Sequence, residues 1–269
     1  MMANFSKELD QKVNEAVDYI KTKVTDIPEV VVVLGSGLAY FGDKIEAGQV
    51  IDTSGIPHFP EPTVSGHQGK MIFGKVGGAK LIALKGRSHY YEGKPLEAVT
   101  FYVHLLKKLG VKKLVLTNAA GGVNENFVPG DFVLITGFMN FGQVDVYRQT
   151  NYDDLLSKEL QAKALAVAEE KSIQLARGVY CWTTGPSFET PAEVQTIRKL
   201  GGDLAGMSTL PEAIVAKKAG LKVLGISLVT NQAAGISANP LTHEEVKETA
   251  DKIKEPYYHF MKNVINTIN

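Results

Sequence analysis

Five times in this chain a short apolar run stops at a cluster of glycine and polar side chains. "GSG" (35–37) follows 30–34, "GRSHYYEG" (86–93) follows 81–84, and "TNAAGG" (117–122) follows 114–116. "TTGPSFE" (183–189) follows 178–182, and "VTNQAAG" (229–235) follows 223–228. Short continuous runs of Val, Ile and Leu read as strands buried on both faces. Segments of helical periodicity separate them, so the chain reads as α/β: a central mixed, largely parallel sheet flanked by helices on both faces. In such sheets ligands bind in the crevice outside the strand carboxyl ends, so the five clusters converge on one pocket.

The remaining elements follow the same logic. Phe5, Leu9, Val13, Val17, Ile20 and Val24 recur at helical spacing, giving an amphipathic opening helix that ends before Pro28. Residues 71–86 read as two strands joined at Gly77-Gly78, a dipeptide that supplies the positive φ angles of a tight hairpin. Pro95 fits the first turn of a helix running to Gly110, its C-terminal stop. Strands are expected at 113–117, 132–136, 178–183 and 223–230, and helices near 155–171, 191–200, 211–219 and 242–266, with Pro256 kinking or dividing the last. No repeat, low-complexity tract or linker interrupts 1–269, which reads as a single domain.

Lys plus Arg and Asp plus Glu both number 29, so no long-range field draws the protein to nucleic acid or an anionic membrane, and any anion needs a local site. The single cysteine, Cys181, excludes an internal disulfide framework and Cys-rich metal motifs. No two histidines share metal-ligand spacing on one element, so no metal is expected. The first residues lack the apolar centre of a signal peptide and no apolar run approaches a membrane span, which makes the cytoplasm the expected compartment.

Within the clusters, particular residues suggest chemistry. "GSG" lets backbone N–H groups and the Ser36 hydroxyl approach a phosphate, or is a plain strand-to-helix turn; Tyr40 stands where a dinucleotide fingerprint needs its third glycine. Arg87 and His89, two apart, project to one side if the strand alternation continues, and pair a planar fork with a second donor. Taken singly they are an ion-pair partner and a structural histidine; with Tyr91 and Glu92 they favour an anion site. Glu189 and Asn231 combine an acceptor with a donor–acceptor amide, suited to the edge of a heterocycle, although Glu189 can instead pair with a lysine and Asn231 can cap a turn. Met207 offers an apolar wall or core filling, and His67 and His243 are ligands or surface histidines.

Together these residues resemble the trimeric purine nucleoside phosphorylases. The matching stretches are "VVLGSGLA", "FPEPTVSGHQGKMIFG", "GRSHYYEG", "LTNAAGG", "GPSFETPAE", "GMSTLPEAIVA", "LVTNQAAGIS" and "THEEV", in the family's order along most of the chain. The resemblance implies reversible phosphorolysis of 6-oxopurine ribo- and deoxyribonucleosides such as inosine and guanosine, in a homotrimer, with inorganic phosphate as co-substrate and no cofactor. It implies phosphate binding by Ser36, Arg87, His89, the Ala119 N–H and Ser208, with His67 close by. Tyr91, Met207 and His243 would meet the ribose, Phe188 would stack on the base, and Glu189 and Asn231 would read its edge. Asn231 fits a 6-oxo group, where the methylthioadenosine branch has an aspartate. One segment departs: the family usually has "DHIN" and a long loop carrying an aromatic residue into the neighbouring subunit, and the shorter "GFMNFGQVDVYRQ" offers Phe141 or Tyr147 instead.

Other readings remain: a xanthosine- or methylthioadenosine-preferring phosphorylase, a non-catalytic nucleoside-binding protein, a nicotinamide-dependent oxidoreductase and a metal-dependent nucleoside hydrolase. Tyr40 disfavours the oxidoreductase, and the absence of an Asp-rich cluster disfavours the hydrolase. A nucleoside-binding protein has little use for the Arg87–His89 pair.

Overall fold

A computed structural model describes residues 2–61, 69–142, 144–147, 151–236 and 243–269. The chain opens with α1 (Met2–Lys21), β1 (Val30–Leu34) and the single turn α2 (Tyr40–Asp43). The hairpin strands β2 (Glu46–Asp52), β3 (Lys70–Val76) and β4 (Ala79–Lys85) come next, followed by α3 (Leu96–Val99) and α4 (Phe101–Leu109). Then come β5 (Lys113–Gly122), β6 (Phe132–Asn140), α5 (Lys158–Glu170), β7 (Leu175–Trp182) and α6 (Pro191–Lys199). The chain ends with β8 (Leu204–Gly206), α7 (Leu210–Lys218), β9 (Lys222–Gln232) and α8 (His243–Ile268).

Among the described residues nine strands join one mixed sheet in the order β2-β3-β4-β1-β5-β8-β7-β6-β9. An additional parallel pairing of β9 with β5 closes the last five strands on themselves. Strand alternation divides the core in two. Val31, Val33, Ile82, Leu84, Leu114 and Leu116 face the cluster that receives α1, α4 and α7. Val30, Val32, Leu34, Leu81, Ala83 and Val115 face the cluster that receives α5 and α8. Each such Val, Leu or Ile side chain contributes about 1.5–3 kcal/mol by leaving water, so both faces resist slippage, and the register fixes where each strand ends.

The strand at Val30–Leu34 has the expected bounds. The hairpin turns at Gly77 and Gly78, with φ of 57° and 93°. β5 and β9 outrun their apolar runs, because ten residues of β5 pair in parallel with β9 up to Gly122↔Gln232, and that ladder carries "TNAAGG" and "VTNQ" inside the strands rather than beyond them. β6 likewise continues to Asn140 along β7. The helix expected from Pro95 to Gly110 is interrupted at Thr100, and Pro95 precedes its first turn as an extended residue. α1 stops at Lys21, with Val24 still buried beyond it. Pro256 does not divide α8, whose buried Ala250, Tyr257, Phe260 and Met261 hold the two sides of the proline to one core. Two strands have no counterpart in the sequence reading: β2, an edge strand bulged between Ala47 and Gln49, and the three-residue β8. Among the described residues no helix is long and apolar enough to cross a membrane.

Candidate active site

The strand ends enclose a cleft of about 380 Å³ lined from all five clusters, by Gly35 and Ser36, Arg87, His89 and Tyr91, residues 118–121, Phe188 and Glu189, and Thr230 and Asn231. Met207 and Ser208, between β8 and α7, complete the wall. The site residues expected from sequence therefore line one cavity, apart from Glu92, whose carboxylate faces His89, and from His67 and the side chain of His243, which lie outside the described residues.

Gly35 can be nothing larger. A Cβ there would stand 2.6 Å from Asn118 Cα and 2.9 Å from the Thr117 carbonyl oxygen, so β1 and β5 approach at van der Waals contact where the first turn leaves the sheet. Beyond β4 the alternation does not continue: β4 ends at Lys85, and Gly86 turns at a φ of 95°. Arg87 and His89 still reach the same cleft, because the chain then closes into a single 3-10 turn, Tyr90–Glu92. The His89 N–H donates to Glu92 Oε1 (2.5 Å), and His89 Nδ1 lies 3.4 Å from the same oxygen. Lys94 donates to the other carboxylate oxygen (3.1 Å) and to the Ser88 hydroxyl (2.8 Å). The Tyr91 ring stacks on His89 at 4.9 Å between centroids. Burial, helped by Glu92, pushes the Tyr91 phenol up to about 12, so it presents a neutral hydroxyl at physiological pH.

Arg87 is a buried ion-pair partner as well as a cleft residue. Its Nη1 donates to Glu212 Oε1 at 2.8 Å, its Nη2 donates to the Thr117 carbonyl, and both side chains of the pair are 1% exposed. Burial works against the arginine charge, but the attraction of Glu212, with a contribution from Tyr102, leaves its pKa raised. Glu212 also accepts from the Tyr102 hydroxyl (3.3 Å) and from the Thr209 N–H. Thr209 is fully buried at a φ of 77°, accepts from the Asn118 amide (3.0 Å), and places its hydroxyl 3.1 Å from that of Ser208.

Elsewhere on the lining Thr183 donates to Glu189 Oε1 at 2.6 Å. Thr230 donates to Asn231 Oδ1 at 2.9 Å, and the Asn231 amide donates to the Gln232 carbonyl at 3.2 Å. Phe188, also on the lining, is 44% exposed. The cleft thus combines hydroxyls, an arginine and a histidine with a carboxylate, an amide and an aromatic face.

Residues 29–266 match the model of the phosphorylase superfamily. Purine nucleoside phosphorylase 1 of Geobacillus stearothermophilus is 43% identical over 95% of this chain and 97% of its own. This chain belongs to the purine nucleoside phosphorylase family. Among solved structures, isoform 2 of the Schistosoma mansoni purine nucleoside phosphorylase, in complex with cytosine and ribose-1-phosphate, superposes with a TM-score of 0.87 at 36% identity, covering 96% of this chain and 97% of the other. A Schistosoma mansoni purine nucleoside phosphorylase was solved with adenosine and with inosine; both complexes are 32% identical to this chain, with TM-scores of 0.87 and 0.85 and at least 95% of each chain covered.

Within this family member, the residues that sequence reasoning missed are those supporting the cleft: Glu212, Thr209, Thr117 and Thr183. Thr209-x-x-Glu212 carries a capping-box signature, which announces a helix start but not a buried partner for Arg87. Of the two aromatics considered for the departing loop, neither is among the cleft-lining residues. Tyr147 is tied into its own chain, its hydroxyl 2.6 Å from that of Thr100 and its carbonyl accepting from Lys218 at 2.8 Å. Phe141 packs on the small cluster around Cys181 and Val194.

Proposed function

We propose that this cleft carries out the reversible phosphorolysis of 6-oxopurine ribo- and deoxyribonucleosides, inosine and guanosine foremost, in a homotrimeric cytoplasmic enzyme that uses inorganic phosphate as co-substrate and needs no cofactor, membrane or nucleic acid. The observation that carries this reading is the presence together in one cavity of anion donors and heterocycle-edge groups. Ser36, Arg87, His89, the Ala119 N–H and Ser208 hold phosphate, with His67 as a further ligand. Tyr91, Met207 and His243 meet the ribose, and Phe188 covers the base.

A phosphate oxygen forms the new bond to C1′ as the C1′–N9 bond breaks, and the N9 electron pair leaves with the purine. Positive charge grows on the sugar and negative charge on the base, as in other oxocarbenium-like displacements. The bound phosphate stabilises the former. The Asn231 amide donates toward N7, which stabilises the latter without a covalent intermediate, and Glu189 accepts from N1–H, which orients the base. Thr230, by donating to Asn231 Oδ1, directs the amide N–H groups away from itself. One amide hydrogen goes to Gln232, and the second can donate to the base.

The test is base release from inosine, guanosine, xanthosine, adenosine and methylthioadenosine, each with and without phosphate. Release that requires phosphate and is fastest with inosine and guanosine is expected; release without phosphate means hydrolysis, and none at all means a binding protein. Asn231→Asp replaces the donor with an acceptor and should move the preference toward 6-amino substrates by tenfold or more. Unchanged relative rates would refute this account of selectivity.

A further inference from the structure

α6 and α7 start alike, with "TPAE" at 190–193 and "TLPE" at 209–212, and in both the glutamate closes a capping box onto the threonine. Glu193 does so in solvent, its carboxylate occupied by the Thr190 N–H (2.7 Å) and hydroxyl (2.8 Å). Capping a helix in this protein therefore does not require burial. Glu212 is nevertheless fully buried, and its two oxygens serve different elements: Oε1 accepts from Arg87 beyond β4, and Oε2 accepts from Thr209 in the turn that carries Ser208. β4 and β8 are not paired in the sheet, so neither strand fixes the other's exit directly. A φ of 77° at a β-branched residue is strained backbone that persists only where its surroundings over-determine it, and the bonds of Thr209 to Glu212 and Asn118 supply that restraint.

We propose that Glu212 is a positioning residue for phosphate, its carboxylate setting the distance and angle between Arg87 and the Ser208–Thr209 turn. The inference rests on the phosphorolysis reading and extends it to a residue outside the ligand's own shell. Glu212 touches no substrate; it acts through Arg87 and Ser208.

Glu212→Gln keeps the shape but has one acceptor oxygen, so it can serve Arg87 or the Thr209 N–H and must turn an NH2 toward the other donor. The expected result is a KM for phosphate raised tenfold or more with the KM for inosine within twofold. Inorganic phosphate would no longer raise the melting temperature of the variant, while hypoxanthine still would. Glu193→Gln, the matching change on α6, should leave both KM values within twofold. A phosphate KM within twofold of the parent, or phosphate and inosine KM rising together, overturns the proposal. Should Glu212→Gln fail to fold, Glu212→Asp keeps the charge but is one methylene too short to hold both ties, and the same split at smaller amplitude is expected; its absence overturns the proposal equally. A parent enzyme that releases no base with phosphate refutes the phosphorolysis reading instead, and the phosphate-dependent melting shift still reports on Glu212.

Discussion

Among the residues proposed as the phosphate end of the reaction Arg87 is 2% exposed and Thr209 and Glu212 are fully buried, whereas among those proposed as its base end Phe188 is 44% exposed. The first end is held by a buried ion pair, a strained turn and backbone contact between β1 and β5. The second rests on two threonine hydroxyls, Thr183 on Glu189 and Thr230 on Asn231. The contrast fits what each end is asked to do. Phosphate is one small anion, best met by donors that need not reorganise as charge shifts. Bases differ at their edges, and a single hydroxyl behind each reading group leaves an edge that substitution can retune.

Gly35→Ala attacks the rigid end most directly. The added methyl meets backbone atoms of Asn118 and Thr117, neither of which can swing aside, so β1 must part from β5. Overpacking of this kind costs about 1–3 kcal/mol. Urea unfolding should register that loss, and the KM for phosphate should rise at least tenfold while that for inosine changes little. An unchanged phosphate KM would mean that the close approach shapes the fold and not the anion site, and the contrast between the two ends would lose its functional meaning.

The parts legible in the sequence were those written in local pattern. Val30–Leu34 is apolar at every position and has the expected bounds. Arg87, His89, Glu189 and Asn231 stood out because a polar residue directly after an apolar strand has little structural reason to be there. Glu212 did not, since its partner lies 125 residues away and its capping pattern already accounts for it. β2 escaped notice because an exposed edge strand interrupted by Gly48 has no clean alternation, and β8 because three residues make no period. The polar ends of β5 and β9 read as loops because ladder pairing, a long-range event, extends them past their apolar residues.

Thr183→Val sharpens the comparison from the other side. It removes one hydroxyl at nearly constant volume, and Glu189, half-buried, loses its 2.6 Å donor but keeps access to water. A single bond to a half-exposed carboxylate is worth about 1.5 kcal/mol, or about tenfold. The expected outcome is a fall of that size in kcat/KM for inosine and guanosine with the phosphate KM unchanged, the reverse of the Gly35→Ala split. A phosphate KM that moved with it would mean that the two ends are mechanically one.

Phe188→Leu should have the smallest effect, and its size measures how open the base end is in the working enzyme. An exposed aromatic replaced by another apolar residue shifts folding stability by no more than about 0.5 kcal/mol. What is lost is the ring face, worth about 0.5 kcal/mol beyond its area, which raises the KM for inosine about two- to threefold. That holds if Phe188 meets the base with solvent still on its other side. A loss above tenfold, read from initial rates at saturating phosphate, would show the ring enclosed on both faces. Since Phe188 is 44% exposed here, the second face would then come from residues outside those described or from another subunit, and the base end would be less open in the working enzyme than in the described chain.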